Sequence, residues 1–192
     1  GSACTIDYCG TTTNQAALSF DGASDYVDLG GASNLSVSSA ITMAAWIRSD
    51  VIGARQVIVD KRGAPYYEYA LRIDATTGNL YMALSIDGVH TSLDHFPITA
   101  GQWHHVAGTF DGTTMRLYLN GEEYASPTPT PGTITGSAYD VLIGKSDQWG
   151  TPFDGLIDEV QIWDRALNQA EIETLMLRGL VADPDLLGRW AL

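Results

Sequence analysis

Polar and apolar side chains alternate along most of the chain. Residues Asp25–Leu29 alternate strictly, and residues Ile41–Arg48 form a longer and more apolar run of the same kind. Similar runs follow at residues 56–61, 67–73, 80–86, 104–110, 115–120, 140–143 and 156–163. Because successive side chains of a β-strand point to opposite faces of a sheet, this pattern predicts a chain made mainly of strands.

Short turn sequences separate these runs. Asp21-Gly22, Asp87-Gly88, Asp111-Gly112 and Asn120-Gly121 are pairs that tight hairpins favour, because both residues tolerate a positive φ. About a dozen short strands at such regular spacing are typical of a sandwich. The sequence therefore predicts an all-β fold, a two-sheet antiparallel jelly-roll sandwich.

One segment near the C-terminus departs from this alternation. Asn168 and Glu171 are three positions apart, like the two partners of a helix capping box. Ile172 and Leu175 then share one helical face, and Gly179 is a typical stop residue. We expect one short structural helix at residues 169–178, packed against the sandwich.

The charge balance narrows the range of partners. The 192 residues carry a net charge of −13, and Lys61 and Lys145 are the only lysines. So acidic a surface repels phosphate groups, so we expect no nucleic-acid partner. No apolar run approaches the ~18 residues that a membrane span needs, so we expect no membrane insertion. The carboxylates favour a divalent cation such as calcium, or they only keep the protein soluble.

The chain has two cysteines, Cys4 and Cys9. They lack the Cys-x-x-Cys spacing of a redox or metal pair, and no further ligands lie nearby in the sequence. We therefore expect a local disulfide, which indicates an exported chain in an extracellular or cell-surface location.

Several motifs occur in a fixed order between residues 17 and 178. They are Ala17–Gly22 with Asp25–Val27, Gln102–Gly112, Met115–Gly121, Phe153–Trp163, and Arg165–Leu167 with Ala170–Ile172. Together they resemble the laminin-G-like, pentraxin-related domains among the concanavalin A-like jelly rolls. The resemblance implies two antiparallel sheets, one of them concave, in a mostly extracellular family that hosts many different ligands.

The resemblance also divides the chain. Residues 1–14 form an N-terminal extension with the expected disulfide, and residues 15–180 form the laminin-G-like jelly roll. Residues 181–192 either complete the sandwich with a last strand or begin a following module. Family members often open with a strand that is missing here at the N-terminus, so we expect a longer, modular natural protein.

A calcium site is a further implication of the resemblance, with Asp21, Gly22 and Asp158 as its ligands. Asp158 interrupts an apolar strand, where a carboxylate needs a cation or several donors. The alternatives are turn capping for Asp21 and an ion pair with an arginine for Asp158. Simple alternation predicts that Asp158 shares a face with Val160 and Ile162.

The sequence argues against catalysis. Jelly-roll glucanases use a Glu-x-Asp-x-Glu strand that places three carboxylates on one face, and this chain contains no such triplet. His104 and His105 are adjacent on a predicted strand, so they point to opposite faces and cannot chelate one metal together. His90 and His95 flank a predicted turn, where the two rings could meet. We expect a protein that is not an enzyme.

Aromatic residues in polar loops are the candidates for ligand binding. Trp149 lies beside Asp147 and Gln148, and an indole in such a loop suits stacking against a sugar. Tyr66 and Tyr67 form a second candidate patch. The alternative for Trp149 is that it covers a sheet edge. The tryptophans of the predicted strands are expected in the core: Trp46, Trp103 and Trp163.

The leading hypothesis is a non-catalytic, calcium-dependent recognition module of a larger secreted or surface protein, with a carbohydrate-binding or adhesive role. The alternative is a protein–protein or structural module of a surface assembly. A glycan-active enzyme domain comes third, because the carboxylate strand is missing. The expected partner is a glycan or an extracellular protein.

Overall fold

The computed structural model describes residues 17–31, 35–62, 67–124, 126–146, 151–178 and 183–191, with Arg62 and Tyr67 described by their backbone only. The strands in these ranges are β1 (Leu18–Asp21), β2 (Val27–Asp28), β3 (Ile41–Ser49), β4 (Gln56–Arg62), β5 (Tyr67–Ile73), β6 (Asn79–Ile86), β7 (Val89–Pro97), β8 (His104–Phe110), β9 (Thr114–Leu119), β10 (Glu122–Glu123), β11 (Thr128–Pro129), β12 (Val141–Ile143), β13 (Asp154–Trp163) and β14 (Leu186–Trp190). The helix α1 (Gln169–Arg178) lies between β13 and β14.

The strands form two sheets. The eight-stranded sheet has the order β1-β13-β3-β8-β9-β10, with β11 paired to β9 and β14 paired to β13. The six-stranded sheet has the order β2-β12-β4-β5-β6-β7. Two antiparallel sheets with one short helix confirm the predicted jelly-roll sandwich.

The main core lies between the two sheets. Met43 and Ile47 of β3 belong to the same buried cluster as Leu71 of β5 and Met82 of β6, and none of these four side chains is exposed. This is the inward half of each alternating run, so burying one face of both sheets stabilises the sandwich.

Two of the three tryptophans expected in the core lie elsewhere. Trp163 is 1% exposed, as predicted, and packs beneath α1. Trp46 is half-buried on the outer face of the eight-stranded sheet, where its ring lies 5.4 Å from that of His105. Trp103 is 41% exposed. The prediction for Trp46 is wrong because an aromatic in a strand can occupy either face. The prediction for Trp103 is wrong because this residue precedes β8 and does not belong to the strand.

The helix has the predicted bounds and cap. The Asn168 side chain accepts a hydrogen bond from the Glu171 N–H at 3.1 Å, and the Glu171 carboxylate accepts one from the Asn168 N–H at 2.8 Å. Ile172 and Leu175 are buried against Tyr118 and other outer-face residues of the eight-stranded sheet. The helix therefore covers part of that outer face.

A β-bulge changes the facing of β13. Asp158 is paired with Trp46 and Gln161 with Ala44, so two residues of β13 oppose the single residue between Trp46 and Ala44. Glu159 is the inserted residue, with a positive φ of 50°. Val160 packs in the core while Asp158, before the bulge, faces outward. The predicted grouping of Asp158 with Val160 and Ile162 is therefore wrong, because simple alternation assumes a strand without bulges.

The C-terminal strand lies beside β1 on the same edge of β13. β1 pairs with Asp154–Ile157, and β14 pairs with Val160–Trp163. At the junction, Arg189 donates two hydrogen bonds of 2.5 Å to the Glu159 carboxylate, which is 5% exposed. Among the described residues, no helix has the length and apolar character needed to cross a membrane.

Candidate functional site

The outer face of the six-stranded sheet carries an unusual set of side chains. Sheet alternation brings together two alanines and several polar or aromatic residues on this surface, which we call the six-stranded outer face. Its members are Asp60, Ala70, Arg72, Tyr81, Ala83, Ser85 and His90. The helix α1 lies on the opposite side of the sandwich, against the eight-stranded sheet.

Strand register creates the floor of this face. Asp60, Ala70 and Ala83 are neighbours across β4, β5 and β6, and Arg72 and Tyr81 are paired in the next outward-facing row. Ala70 and Ala83 are each 1% exposed and form a small apolar cluster with Tyr81. The two small residues lie between longer side chains of the same face, which bury them.

A line of aromatic and basic groups crosses the floor. The Arg72 guanidinium carbon lies 4.2 Å from the centroid of the Tyr81 ring, which is a cation–π distance. The Tyr81 hydroxyl lies 3.4 Å from Nε2 of the exposed His90. Tyr81 is therefore held between a cation on its ring face and an imidazole at its hydroxyl.

Buried polar groups surround this line. Arg72 is 7% exposed, Ser85 is 2% exposed and Asp60 is 2% exposed. Neither Arg72 Nε nor the Ser85 hydroxyl makes a hydrogen bond to any residue in the described part of the chain. Buried polar groups in proteins are normally hydrogen-bonded, so these two have unused capacity. Such a surface suits a ligand with both apolar and hydrogen-bonding parts.

Sequence reasoning missed this face. The sequence indicates this face only weakly. Two alanines alternate with large inward residues in β5 and β6, and Arg72 and Tyr81 are each two positions from one of these alanines. Only the pairing of β5 with β6 brings those two halves together.

The loop residues expected to bind a ligand lie outside the described residues. Trp149, Asp147, Gln148 and Tyr66 fall in segments that the structure does not describe, and Tyr67 is described only by its backbone in β5. Cys4 and Cys9, the expected disulfide pair, also lie outside the described residues. Their roles stay predictions.

Asp21 acts as the cap of a tight turn. Its Oδ1 accepts backbone hydrogen bonds from Ser24 at 2.8 Å, Ala23 at 2.9 Å and Asp25 at 3.2 Å. These donors, with that of Ser24 the strongest, lower the pKa of the Asp21 carboxyl to about 2. The turn-capping alternative therefore describes a large part of what Asp21 does. The next residue, Gly22, has a positive φ of 68°.

The expected calcium ligands do not meet at one point. Asp21 is paired with Asp154 across the β1–β13 ladder, whereas Asp158 lies four residues further along β13. At the rise of a β-strand this is a separation of about 13 Å, far beyond the span of two oxygens on one calcium ion. The expected single site formed by Asp21, Gly22 and Asp158 does not agree with this geometry. Among the described residues, no three His, Cys, Asp or Glu side chains form a metal-binding group.

The histidines do not form a metal site either. His104 and His105 are both buried and face opposite sides of β8, and burial lowers the pKa of His105 to about 3. The turn expected between His90 and His95 is absent, because both residues lie in the strand β7, opposite Ser85 and Leu80. Their rings therefore point to opposite faces.

Two cavities lie on the other side of the molecule, beside α1. The larger, of about 320 Å³, is lined by Asp111, Arg116, Tyr118 and Glu123 together with residues 166–169. Arg116 is already paired there with Asp111 at 2.6 Å and Glu123 at 3.4 Å. The unused hydrogen-bonding groups of Arg72 and Ser85 are on the six-stranded outer face, which we take as the candidate site.

Pappalysin-1, a much longer protein, is similar in sequence to part of this chain. Mouse (Mus musculus) pappalysin-1 is 35% identical over 96 residues, which are 47% of this chain and 6% of that protein. The chain therefore matches only a small part of this relative's length.

Solved structures share the fold at lower identity. A putative carbohydrate-binding protein from Bacteroides ovatus matches with a TM-score of 0.67 and 23% identity, over 91% of this chain and 52% of that one. The CBM40 of the Ruminococcus gnavus IT-sialidase, bound to α2,3-sialyllactose, matches with a TM-score of 0.65 and 19% identity, over 84% of this chain and 95% of that one.

The family model described as the concanavalin A-like lectin/glucanases superfamily, a laminin-G model, matches residues 21–173. This range includes strands of both sheets and the start of α1, so it spans the sandwich rather than a single motif. The chain therefore belongs to the laminin-G-like domains of the concanavalin A-like lectin/glucanases superfamily.

Proposed function

We propose that this domain is a non-catalytic carbohydrate-binding module, and that its ligand lies on the six-stranded outer face. The observation that carries the proposal is the alanine floor beside Tyr81, bordered by the buried polar residues Asp60, Arg72 and Ser85. A sugar presents an apolar ring face and a rim of hydroxyls, so it needs an aromatic surface and several polar partners close together.

The structural neighbours support this proposal at the level of the fold. One of them is described as a putative carbohydrate-binding protein, and another is bound to a sialylated sugar. A shared fold does not carry a ligand with it, so the residues of this chain have to supply the argument.

The sequence favours binding over hydrolysis. Jelly-roll glucanases place three carboxylates on one face of a Glu-x-Asp-x-Glu strand, and this chain contains no such triplet. This supports a module without catalytic activity.

We place the domain in a larger extracellular or cell-surface protein. The match to 6% of the length of pappalysin-1 supports a module within a longer chain. The cysteine pair Cys4 and Cys9 supports an exported location if it forms the expected disulfide. Calcium dependence is part of the proposal.

A glycan array with the wild-type domain and two matched variants tests the proposal. Tyr81→Ala removes the aromatic of the six-stranded outer face, and Trp103→Ala removes an exposed aromatic that directly precedes β8 of the other sheet. We expect Tyr81→Ala to lower the affinity for the best glycan by about tenfold or more, because stacking and one hydroxyl are lost. Trp103→Ala should bind like the wild type.

Other outcomes would contradict the proposal in different ways. If Trp103→Ala loses binding and Tyr81→Ala does not, the ligand lies on the eight-stranded sheet. If no glycan binds, the alternative of a protein–protein module gains weight. Release of shortened glycans during incubation would contradict the absence of catalysis.

A further inference from the structure

Arg72 is a buried cation without an ion-pair partner in the described chain. Its side chain is on the six-stranded outer face at 7% exposure, and its guanidinium carbon lies 4.2 Å from the centroid of the Tyr81 ring. Neither an ion pair nor a hydrogen bond joins it to a described residue. Arginine is almost never so buried unless it is paired, because removing its charge from water costs free energy that a partner must offset.

Two carboxylates on this face, Asp74 and Asp94, already accept other hydrogen bonds. Asp74 has a lowered pKa, because the backbone hydrogen bonds from Thr76 and Thr77, followed by the charges of Arg55 and Arg72, outweigh the effect of burial. Its Oδ1 accepts the backbone N–H groups of Thr76 at 2.8 Å and Thr77 at 3.3 Å. Asp94 accepts the Thr77 hydroxyl at 3.1 Å. The guanidinium therefore keeps its donors for a group that the described chain does not supply.

We infer that Arg72 recognises the carboxylate of an acidic sugar, such as a uronic or sialic acid residue. The inference rests on the proposed function and names the class of its ligand. A guanidinium is planar and presents paired N–H donors that match the two oxygens of a carboxylate. A neutral sugar offers only hydroxyls, which would leave the desolvated charge of Arg72 without a counter-charge.

The neighbours of Arg72 fit this role. Tyr81 holds the guanidinium from one side at 4.2 Å, which fixes the plane in which the carboxylate has to approach. Ser85, 2% exposed and without a hydrogen-bond partner in the described chain, faces the same side and can bind a ring hydroxyl. Arg72 therefore selects for charge, while Tyr81 and Ser85 contact the sugar ring.

Binding of free sugars measured by calorimetry or NMR titration tests the inference. The probes are glucuronate, galacturonate and N-acetylneuraminate, with glucose and galactose as neutral controls and galactose 6-sulfate as a non-carboxylate anion. We expect at least one of the three carboxylate sugars to bind about tenfold more tightly than its control. The control is glucose for glucuronate and galactose for galacturonate, whereas N-acetylneuraminate is compared with both neutral sugars. Equal binding of the sulfate ester would overturn the preference for a carboxylate.

Two variants separate recognition from a structural role. Arg72→Met keeps the length of the side chain but removes the charge, so it should abolish the preference for acidic sugars without lowering the melting temperature. Arg72→Lys should keep part of the preference, because the charge remains while the paired donors are lost. A clear drop in melting temperature for Arg72→Met would instead make Arg72 a structural residue and overturn the inference.

Failure of this inference differs from failure of the proposed function. If neutral sugars bind, and if Tyr81→Ala loses this binding while Arg72→Met keeps it, the module binds carbohydrate but the acidic ligand class is wrong. If no sugar of either kind binds and the array is also empty, the proposed function itself is wrong.

Discussion

His105 illustrates how burial sets the properties of a single residue in this domain. Its imidazole is 2% exposed and lies against the Trp46 ring, in a row of paired residues that also includes Asp158. Burial disfavours the charged form and lowers the pKa of His105 to about 3. The imidazole is therefore still neutral in the folded protein at pH values where it begins to take up a proton in the unfolded chain.

We expect His105 to make the domain sensitive to mild acid. Its pKa is lower in the folded state than the usual histidine value of 6.5, so its contribution to stability is complete above about pH 6.5 and is lost as the pH falls toward 3. A single such group changes the free energy of unfolding by about 1.4 kcal/mol per pH unit in that window. His105→Phe should flatten this dependence in urea unfolding between pH 6.5 and 4.

The exposed His90 provides the control. His90→Asn changes a histidine at an exposed position of β7 and should keep the same slope of stability against pH as the wild type, because we assign that slope to the buried His105. An unchanged slope in His105→Phe would show that other groups, such as the carboxylates, cause the acid sensitivity.

At the scale of elements, the bulge in β13 decides how the C-terminal strand is attached. Glu159 adopts a left-handed backbone conformation that β-carbon sterics disfavour, and its buried carboxylate accepts two hydrogen bonds from Arg189 of β14. The strain and the ion pair occur at the same residue. The pair thus stabilises both an irregular strand and the docking of β14.

Three substitutions should rank in a defined order. Arg189→Met leaves the Glu159 carboxylate, 5% exposed, without this partner, and should lower the free energy of unfolding most, by about 3–5 kcal/mol. Glu159→Ala should cost less, since the Arg189 side chain is 26% exposed and can turn to water. Glu159→Gly should cost about 1 kcal/mol less than Glu159→Ala, because glycine adopts the positive φ freely.

Urea unfolding measures these differences. If Glu159→Gly is less stable than Glu159→Ala, the backbone of the bulge is not strained. If Arg189→Met is as stable as the wild type, β14 does not depend on this ion pair.

At the scale of the whole molecule, the two outer faces differ in what covers them. The helix α1 packs on the eight-stranded sheet, while the six-stranded sheet carries Arg72, Tyr81 and Asp60 on its outer side. The outer side of one sheet thus packs against a helix, and the outer side of the other carries the polar and aromatic residues that we propose for the ligand.

Calcium binding is the prediction that concerns the stability of the whole domain. An ion bound at about a hundredfold excess over its Kd adds about 2.7 kcal/mol, so a chelator should lower the melting temperature by about 5 °C or more. Because Asp21 and Asp158 are about 13 Å apart, they cannot both serve one ion. We expect Asp21→Asn to weaken the response and Asp158→Asn to keep it, because Asp158 lies four residues along β13 from the partner of Asp21.

Differential scanning calorimetry in calcium and in chelator checks this expectation. Asparagine at position 21 can still accept the backbone hydrogen bonds of the turn, so the substitution tests the charge rather than the cap. A loss of response in Asp158→Asn instead would move the site to the other end of the β1–β13 pairing. Identical melting of the wild type with and without chelator would exclude a stabilising ion.

Much of the fold could be predicted from local sequence. The capping box of Asn168 and Glu171 depends on residues three positions apart, so its reciprocal hydrogen bonds follow from the sequence alone. The alternation in runs such as Ile41–Arg48 fixed the strands for the same reason. Facing was harder to predict: Trp46 read as a core residue because an alternating pattern does not say which half points inward.

The sequence by itself determined the all-β class, the helix with its cap and the family, since each depends on short-range patterns or on motifs in a fixed order. Tertiary structure alone decided the rest. The insertion of Glu159 into β13 reversed the facing of Asp158, and the pairing of β5 with β6 placed Arg72 over Tyr81. Both are cross-strand relations between distant residues, and register is set by the packing of the whole sandwich rather than by neighbours in the chain.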